Sequence, residues 1–377
     1  MFNRLDEYLE NNNIICPEQK GFRKGMRTSD HIFPLQTNID KYFKNNKYSF
    51  ACFIDLKKAF DTVNRNTLLH KICQCNIRGN FFSVLESMYK KVSFSVDLPD
   101  GMTNTFETNI GVKQGCILSP TLFSLYINDL IDHFGPDCEP LELNKKPISC
   151  LLYADDIILL SKSAKGLQKS LDILKTYCDK WNLKINIGKT KVIVFNKSGR
   201  ILKGFSFLYD DEPISLTNEY KYLGILFKPS GTFSDAIDYL SKKACKVMFC
   251  IRKSLYSNKS NIPIHMKRFE ACVKPILLYC SEVWSLPQLI KGRDITNFES
   301  NYEKCVPNTN KYSKYVLGVH KSATNIAILG ELGLYPLSLN ALKSSVGYWL
   351  HILNVNDNNL IFHSYKDNLL IKDVLFI

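Results

Sequence analysis

Two adjacent carboxylates, Asp155 and Asp156, stand between apolar runs in the stretch Leu-Leu-Tyr-Ala-Asp-Asp-Ile-Ile-Leu-Leu-Ser at 151–161. Apolar residues on both sides of a short acidic break predict two buried strands joined at a tight turn, with both acids at the hairpin tip. Acids held side by side on a rigid sheet raise each other's pKa unless a cation sits among them, and a hard divalent ion such as Mg²⁺ prefers oxygen ligands of this kind. Alone, such a pair is more often a solvated turn or a helix N-cap than a site. A third carboxylate has to decide it. Phe50-Ala-Cys-Phe-Ile-Asp reads as an apolar strand ending on Asp55, followed by a helix that begins near Asn64. If that strand lies beside the hairpin, Asp55, Asp155 and Asp156 bring enough oxygen together for two divalent ions, and the backbone carbonyl of Leu56 adds a further ligand.

A glycine-punctuated loop, Ile110-Gly-Val-Lys-Gln-Gly-Cys-Ile-Leu-Ser-Pro, opens an apolar helix. Gly111 and Gly115 allow close backbone approach to a ligand, and the Gln114 amide can hydrogen-bond a base or sugar. A loop of this sort before a helix is commonplace, with Ser119 as N-cap and Pro120 in the first turn. The segment 17–29 crowds Lys20, Arg23, Lys24 and Arg27 between glycines. It suits a phosphate backbone, or is a solvated loop.

The elements that must position these groups follow from periodicity. Ile32, Leu35, Ile39 and Phe43 mark a helix over 30–43, and Leu167, Leu171, Leu174, Cys178 and Trp181 mark another that packs on the sheet. After a turn signal at 229–231 the pattern changes to long helices. In the first of these Ile237, Leu240, Ala244, Val247 and Ile251 share a face, with Lys242, Lys243 and Lys246 largely off it. That basic side fits a nucleic-acid duplex, or is simply solvated.

At 377 residues, 45% of them hydrophobic, the chain can bury a core over two or three domains. Its formal charge of +13 leans toward a polyanionic partner, nucleic acid or an anionic membrane surface. Thirteen cysteines, an odd number scattered as singles apart from Cys73 and Cys75, lack zinc-site spacing and read as reduced intracellular thiols. The first ten residues are charged from Arg4 on, unlike a secretory signal, and no apolar run reaches membrane-spanning length.

Three blocks now stand in order: Phe-Ile-Asp-Leu-Lys-Lys-Ala-Phe-Asp-Thr-Val at 53–63, Gly-Val-Lys-Gln-Gly-Cys-Ile-Leu-Ser-Pro at 111–120 and Tyr-Ala-Asp-Asp at 153–156. Together they strongly resemble the reverse transcriptases of non-LTR (LINE-type) retrotransposons. The resemblance implies an α+β right-hand polymerase. Partial fingers would span 1–48 and a palm of antiparallel sheet and packed helices 49–230, with fingers elements near 64–110. A helical thumb would span 231–290 and a post-polymerase helical region 291–377. It implies RNA-templated DNA synthesis on a DNA primer from dNTPs, with two Mg²⁺ (or Mn²⁺) held by Asp55, Leu56, Asp155 and Asp156. Phe60 matches the family's aromatic gate against a ribose 2′-hydroxyl. Gln114 and Gly115 would meet the incoming nucleotide, and Tyr153 the primer terminus, unless its ring is core alone. Lys189 stands where the family places a proton donor to pyrophosphate, although a surface lysine near a turn is the plainer explanation. Tyr222-Leu223-Gly224 resembles the primer grip. Arg23, Lys24, Lys242, Lys243 and Lys246 would contact nucleic acid.

Relatives carry more fingers sequence upstream and often an endonuclease, so a truncated copy or an incompletely annotated gene is the expectation, acting inside the cell in nucleus and cytoplasm. Ile117 replaces a proline common in relatives. Competing readings are a catalytically dead nucleic-acid-binding remnant, another palm polymerase making RNA, which Phe60 argues against, and a relative of the group II intron type.

Overall fold

The computed structural model describes residues 1–255, 262–285 and 308–372, which form two compact units: Met1–Asn218 with Asn358–Ile377, and Glu219–Asp357. The boundary drawn at 290/291 from sequence lies outside the described residues.

The first unit is built on a six-stranded sheet. Its strands are β1 (Ser49–Ile54), β2 (Cys150–Tyr153), β3 (Asp156–Ser161), β4 (Lys191–Phe195), β5 (Phe207–Tyr209) and β6 (Glu212–Leu216), in the order β5-β6-β4-β1-β3-β2. The sheet is antiparallel as expected, except that β4 and β6 run parallel. Every residue of β1 is buried, so it is apolar without alternation, as a strand covered on both faces must be. Phe50, Cys52 and Ile54 join one core with Leu167, Leu171 and Leu174 of α6 (Ala164–Trp181). Ser163 caps α6 by accepting from the Gly166 amide.

The other helices of this unit are α1 (Phe2–Asn11), α2 (Ser29–Lys44), α3 (Arg65–Gln74), α4 (Gly79–Lys90) and α5 (Ser119–Tyr126). The apolar stripe predicted one buried face for α2, yet most of the helix is buried, polar residues included. The helix Leu360–Lys372 covers the remaining side: Lys41 Nζ donates to Asp367 (2.8 Å), Asn368 to Thr37 (3.3 Å) and Lys44 to the Leu370 carbonyl. This last helix therefore belongs with the sheet and not with a separate C-terminal region. Of the buried polar residues of α2, Thr37 is paired across this contact, while Gln36 donates to Asp40 and Asn38 to the Pro34 carbonyl within the helix.

The second unit starts with a hairpin, β7 (Tyr220–Tyr222) and β8 (Ile225–Phe227), and continues in helices, the longest being α7 (Ser234–Leu255). The break between units falls before this hairpin and not at 229–231. Tyr279 explains why, since its hydroxyl donates to the Leu223 carbonyl at 2.7 Å and ties the turn to the helices. Gly224 at φ +83° packs on the Tyr279 ring, leaving 2.9 Å for a Cβ, too little for any other residue. Ile237, Leu240, Ala244, Met248 and Ile251 of α7 are buried while Lys242, Lys243 and Lys246 are exposed. Trp284 is buried with its indole N–H on the Tyr279 carbonyl, a structural contact.

Candidate active site

Register decides which side chains meet. Ile54 of β1 pairs with Ile157 of β3, so Asp55, one residue further on, leaves β1 beside Asp156, the first residue of β3. Tyr153 pairs with Asp156 across the β2–β3 hairpin, leaving Ala154 and Asp155 as a two-residue turn. Ala154 sits at φ +56°, a left-handed conformation that costs an alanine roughly 1–2 kcal/mol and that tight hairpin turns require. Burial, then the charges of Asp155 and Asp55, push the Asp156 carboxyl up to about 6. The three acids thus share one electrostatic neighbourhood. Among the described residues no group of three His, Cys, Asp or Glu side chains is arranged as a finished metal cage.

The segment 184–186 runs beside the end of β1. Lys57 donates to the Lys184 carbonyl and Asn186 to the Asp55 carbonyl, both at 2.7 Å, with Leu56 opposite Ile185 between them. In this pattern the Leu56 peptide groups point away from 184–186, toward the side on which β3 lies. Its carbonyl is therefore free of this pairing. The Asp55 amide donates to Thr190 Oγ1 at 3.2 Å, and the Lys189 amide to the Asn186 carbonyl. This turn brings Lys189 Nζ to 3.8 Å from Asp55 Oδ2, with the lysine largely in solvent. Oxygen donors of a hard-cation set, with excess negative charge among them, fit a divalent metal ion.

Phe60 is half-buried and stacks on Phe123 of α5, ring centroids 5.0 Å apart. The Val112 amide donates to the Phe60 carbonyl and the Gly111 amide to Val63, so the glycine loop lies against the turn after β1. Gly111, at φ +83°, would place a Cβ 2.8 Å from the Asp61 carbonyl oxygen. Its close approach is thus to the protein's own backbone and not to a ligand, which corrects the sequence expectation. Gly115 is exposed at φ +78°. Gln114 is exposed, its amide donating to Asp61 at 2.6 Å. Ser119 does not cap α5: it lies inside the helix and its hydroxyl donates to the Lys113 carbonyl. Arg65, unremarked in the sequence, is buried and binds the carbonyls of Gly111, Thr108 and Ile110, fixing this loop to the start of α3.

Tyr153 is half-buried, its ring meeting the edge of His31 at 5.6 Å, and its hydroxyl is raised by burial, then by Asp30 and Asp156. His31 is buried and held neutral, at about 3, by desolvation and then by Lys20.

Of the basic residues near the N-terminus, Arg23 corrects the expectation. Its guanidinium forms a bidentate pair with Glu10 (2.7 Å for each bond) and donates to the Cys16 and Gln19 carbonyls, using four of its five N–H donors. It is committed to closing this loop. Lys20 is buried on Asn359, whereas Lys24 is exposed. Tyr222, Leu223, Gly224, Lys242, Lys243 and Lys246 all belong to the second unit, where Lys242 pairs with Asp238 at 2.6 Å.

Residues 1–227 match the family described as reverse transcriptase (RNA-dependent DNA polymerase). The chain belongs to the reverse transcriptase family. Its relatives place it among the reverse transcriptases of non-LTR retrotransposons. It is 30% identical over 296 residues to a probable RNA-directed DNA polymerase from transposon BS of Drosophila melanogaster, covering 75% of this chain and 32% of that protein. It is 27% identical over 297 residues to the RNA-directed DNA polymerase from mobile element jockey of Drosophila funebris, covering 76% and 31%. The chain thus spans about a third of the length of the curated relatives it matches. Among solved structures it is similar to telomerase from Candida albicans, with 13% identity and a TM-score of 0.47 over 88% of this chain and 58% of that one. Among the described residues no helix is long and apolar enough to cross a membrane.

Proposed function

We propose that this reverse-transcriptase chain is an RNA-directed DNA polymerase, extending a DNA primer on an RNA template by nucleotidyl transfer from dNTPs. The observation that carries the reading is the meeting of Asp55 and the Asp155-Asp156 turn on adjacent strands, with the Asp156 carboxyl raised by burial and then by the other two charges.

Asp55, Asp155, Asp156 and the Leu56 carbonyl would hold divalent ions, two Mg²⁺ or Mn²⁺. When bound, such ions acidify the primer 3′-hydroxyl and neutralise the triphosphate. The remaining work falls to the chain. Lys189, beside Asp55 and open to solvent, can hand its proton to the departing pyrophosphate oxygen. Phe60, its ring set by Phe123, fills the space beside the nucleotide sugar and excludes a 2′-hydroxyl. Gln114 and Gly115 form the exposed lip of that space, and Tyr153 flanks the carboxylates on the primer side. In palm, fingers and thumb terms, the sheet with its helices is the palm, residues 1–48 and 64–110 carry fingers elements, and α7 is the thumb helix whose Lys243 and Lys246 face the duplex. Lys24 is a further backbone contact. The hairpin turn Tyr222-Leu223-Gly224 is the primer grip. A dead remnant is not favoured, because all three acids are present.

The test is primer extension on a poly(rA)–oligo(dT) duplex with dTTP and Mg²⁺, with Asp155→Ala alongside. Synthesis by the wild type and its loss in the variant are expected. Incorporation that survives the substitution would refute the assignment.

A further inference from the structure

Gln19 lies in the loop first read as a basic grip, yet it is fully buried and points at the catalytic hairpin. Gln19 forms a single parallel bridge to Leu152 at the edge of β2: Lys20 donates to the Leu152 carbonyl at 3.0 Å and Leu152 to the Glu18 carbonyl at 3.1 Å. This register brings the Gln19 side chain to the turn. Its Oε1 accepts from the Ala154 amide at 3.0 Å and from the Gly21 amide at 2.9 Å. Ala154 is the left-handed residue that carries Asp155, and its own burial leaves that amide dependent on a protein acceptor. Gly21 presses on the same turn, where a Cβ would stand 2.2 Å from the Ala154 nitrogen. His31 completes the bracket, with Nε2 on the Glu18 carbonyl at 3.1 Å and its ring against Tyr153. The other end of the Gln19 amide, Nε2, is buried with no hydrogen-bond partner among the described residues. An apolar side chain would spare the fold that orphaned donor, so what the residue contributes lies at its oxygen.

We propose that Gln19 is a positioning residue for nucleotidyl transfer, holding the Ala154-Asp155 turn through its amide oxygen while touching neither ion, primer nor nucleotide. The inference rests on the polymerase reading above for its kinetic consequence, but not for its structural one. A turn free to rock would carry Asp155 and Asp156 away from Asp55, and a displacement of about 1 Å at reacting groups costs up to roughly a hundredfold in rate. Gln19→Met keeps the length and removes the acceptor; Gln19→Glu restores an acceptor oxygen in the same place.

The experiment measures single-turnover extension per titrated active site, primer–template affinity, and Mn²⁺ binding to the protein alone by electron paramagnetic resonance. For Gln19→Met the expected result is a rate lower by roughly ten- to hundredfold, unchanged primer–template affinity and weakened Mn²⁺ binding. Gln19→Glu is expected to recover most of the rate. The proposal is overturned if the Met variant matches wild type in rate and Mn²⁺ affinity. It is also overturned if the loss disappears once the folded fraction is counted, if Glu recovers nothing, or if the Met variant does not fold, since Gln19 would then serve the fold as a whole. A wild type without synthesis would sink the polymerase reading instead, and the Mn²⁺ comparison would still decide the role of Gln19.

Discussion

Asp156→Asn is expected to stabilise the chain without divalent ions while removing synthesis. Burial, followed by the charges of Asp155 and Asp55, raises the Asp156 carboxyl from 3.8 to about 6. In the unfolded chain the group ionises near its ordinary value. Between roughly pH 4 and pH 6 the folded chain therefore keeps a proton that the unfolded chain has lost, and stability falls as pH rises through that window. Above it the penalty is constant: at about 1.4 kcal/mol per pKa unit it reaches roughly 3 kcal/mol, an upper limit because asparagine must still bury an amide. With about 2–4 °C per kcal/mol for a unit of this size, the variant should melt up to roughly 10 °C higher. The assay is thermal unfolding in EDTA at about pH 7.5 and again at about pH 4, where Asp156 is protonated in the folded wild type and about half ionised in the unfolded chain, so most of the gain should be lost. Millimolar Mg²⁺ should raise the wild type and narrow the gap, because the ion binds the folded state. A variant no more stable than wild type near pH 7.5, or a gain undiminished near pH 4, would refute the reasoning.

Phe60→Val should leave dNTP incorporation largely intact and raise rNTP incorporation by roughly a hundredfold, the scale of discrimination by pocket shape; competition assays with dTTP and UTP measure it, and an unchanged ratio would exclude the gate. Phe123→Leu should produce a smaller loss of discrimination, because the stacked ring that orients Phe60 is gone. Replacing Lys243 and Lys246 together by Ala should weaken primer–template binding at every sequence and reduce the slope of log K against log [salt] by about 2. A slope unchanged by both substitutions would remove α7 from the interface.

The parts of the molecule legible in the sequence are those where apolar patterning and chemistry coincide. β1 reads as a run ending on an acid, the β2–β3 hairpin as two runs around Asp155 and Asp156, and α6 as a stripe from Leu167 to Trp181. What escaped depends on tertiary partners. Lys20 and Arg23 looked like solvent-facing cations, yet burial on Asn359 and the bidentate hold on Glu10 turn them inward. Gln19 and His31 carried no signal, since a polar residue buried by a distant hairpin looks like one in a loop. The helix Leu360–Lys372 closes on α2 through Lys41 and Asp367, a pairing with no local trace. Gly111 showed as a glycine with a purpose, but only the Asp61 backbone beside it reveals which.

The claim at the centre of the account is that Asp55, Asp155 and Asp156 together ligate divalent ions. Anomalous diffraction from crystals grown with Mn²⁺, primer–template and a non-hydrolysable dNTP tests it directly. The account expects Mn²⁺ peaks bridged by carboxylate oxygens of all three residues, at about 2.0–2.3 Å. Density that leaves Asp55 or the Asp155-Asp156 turn outside the coordination sphere would contradict it.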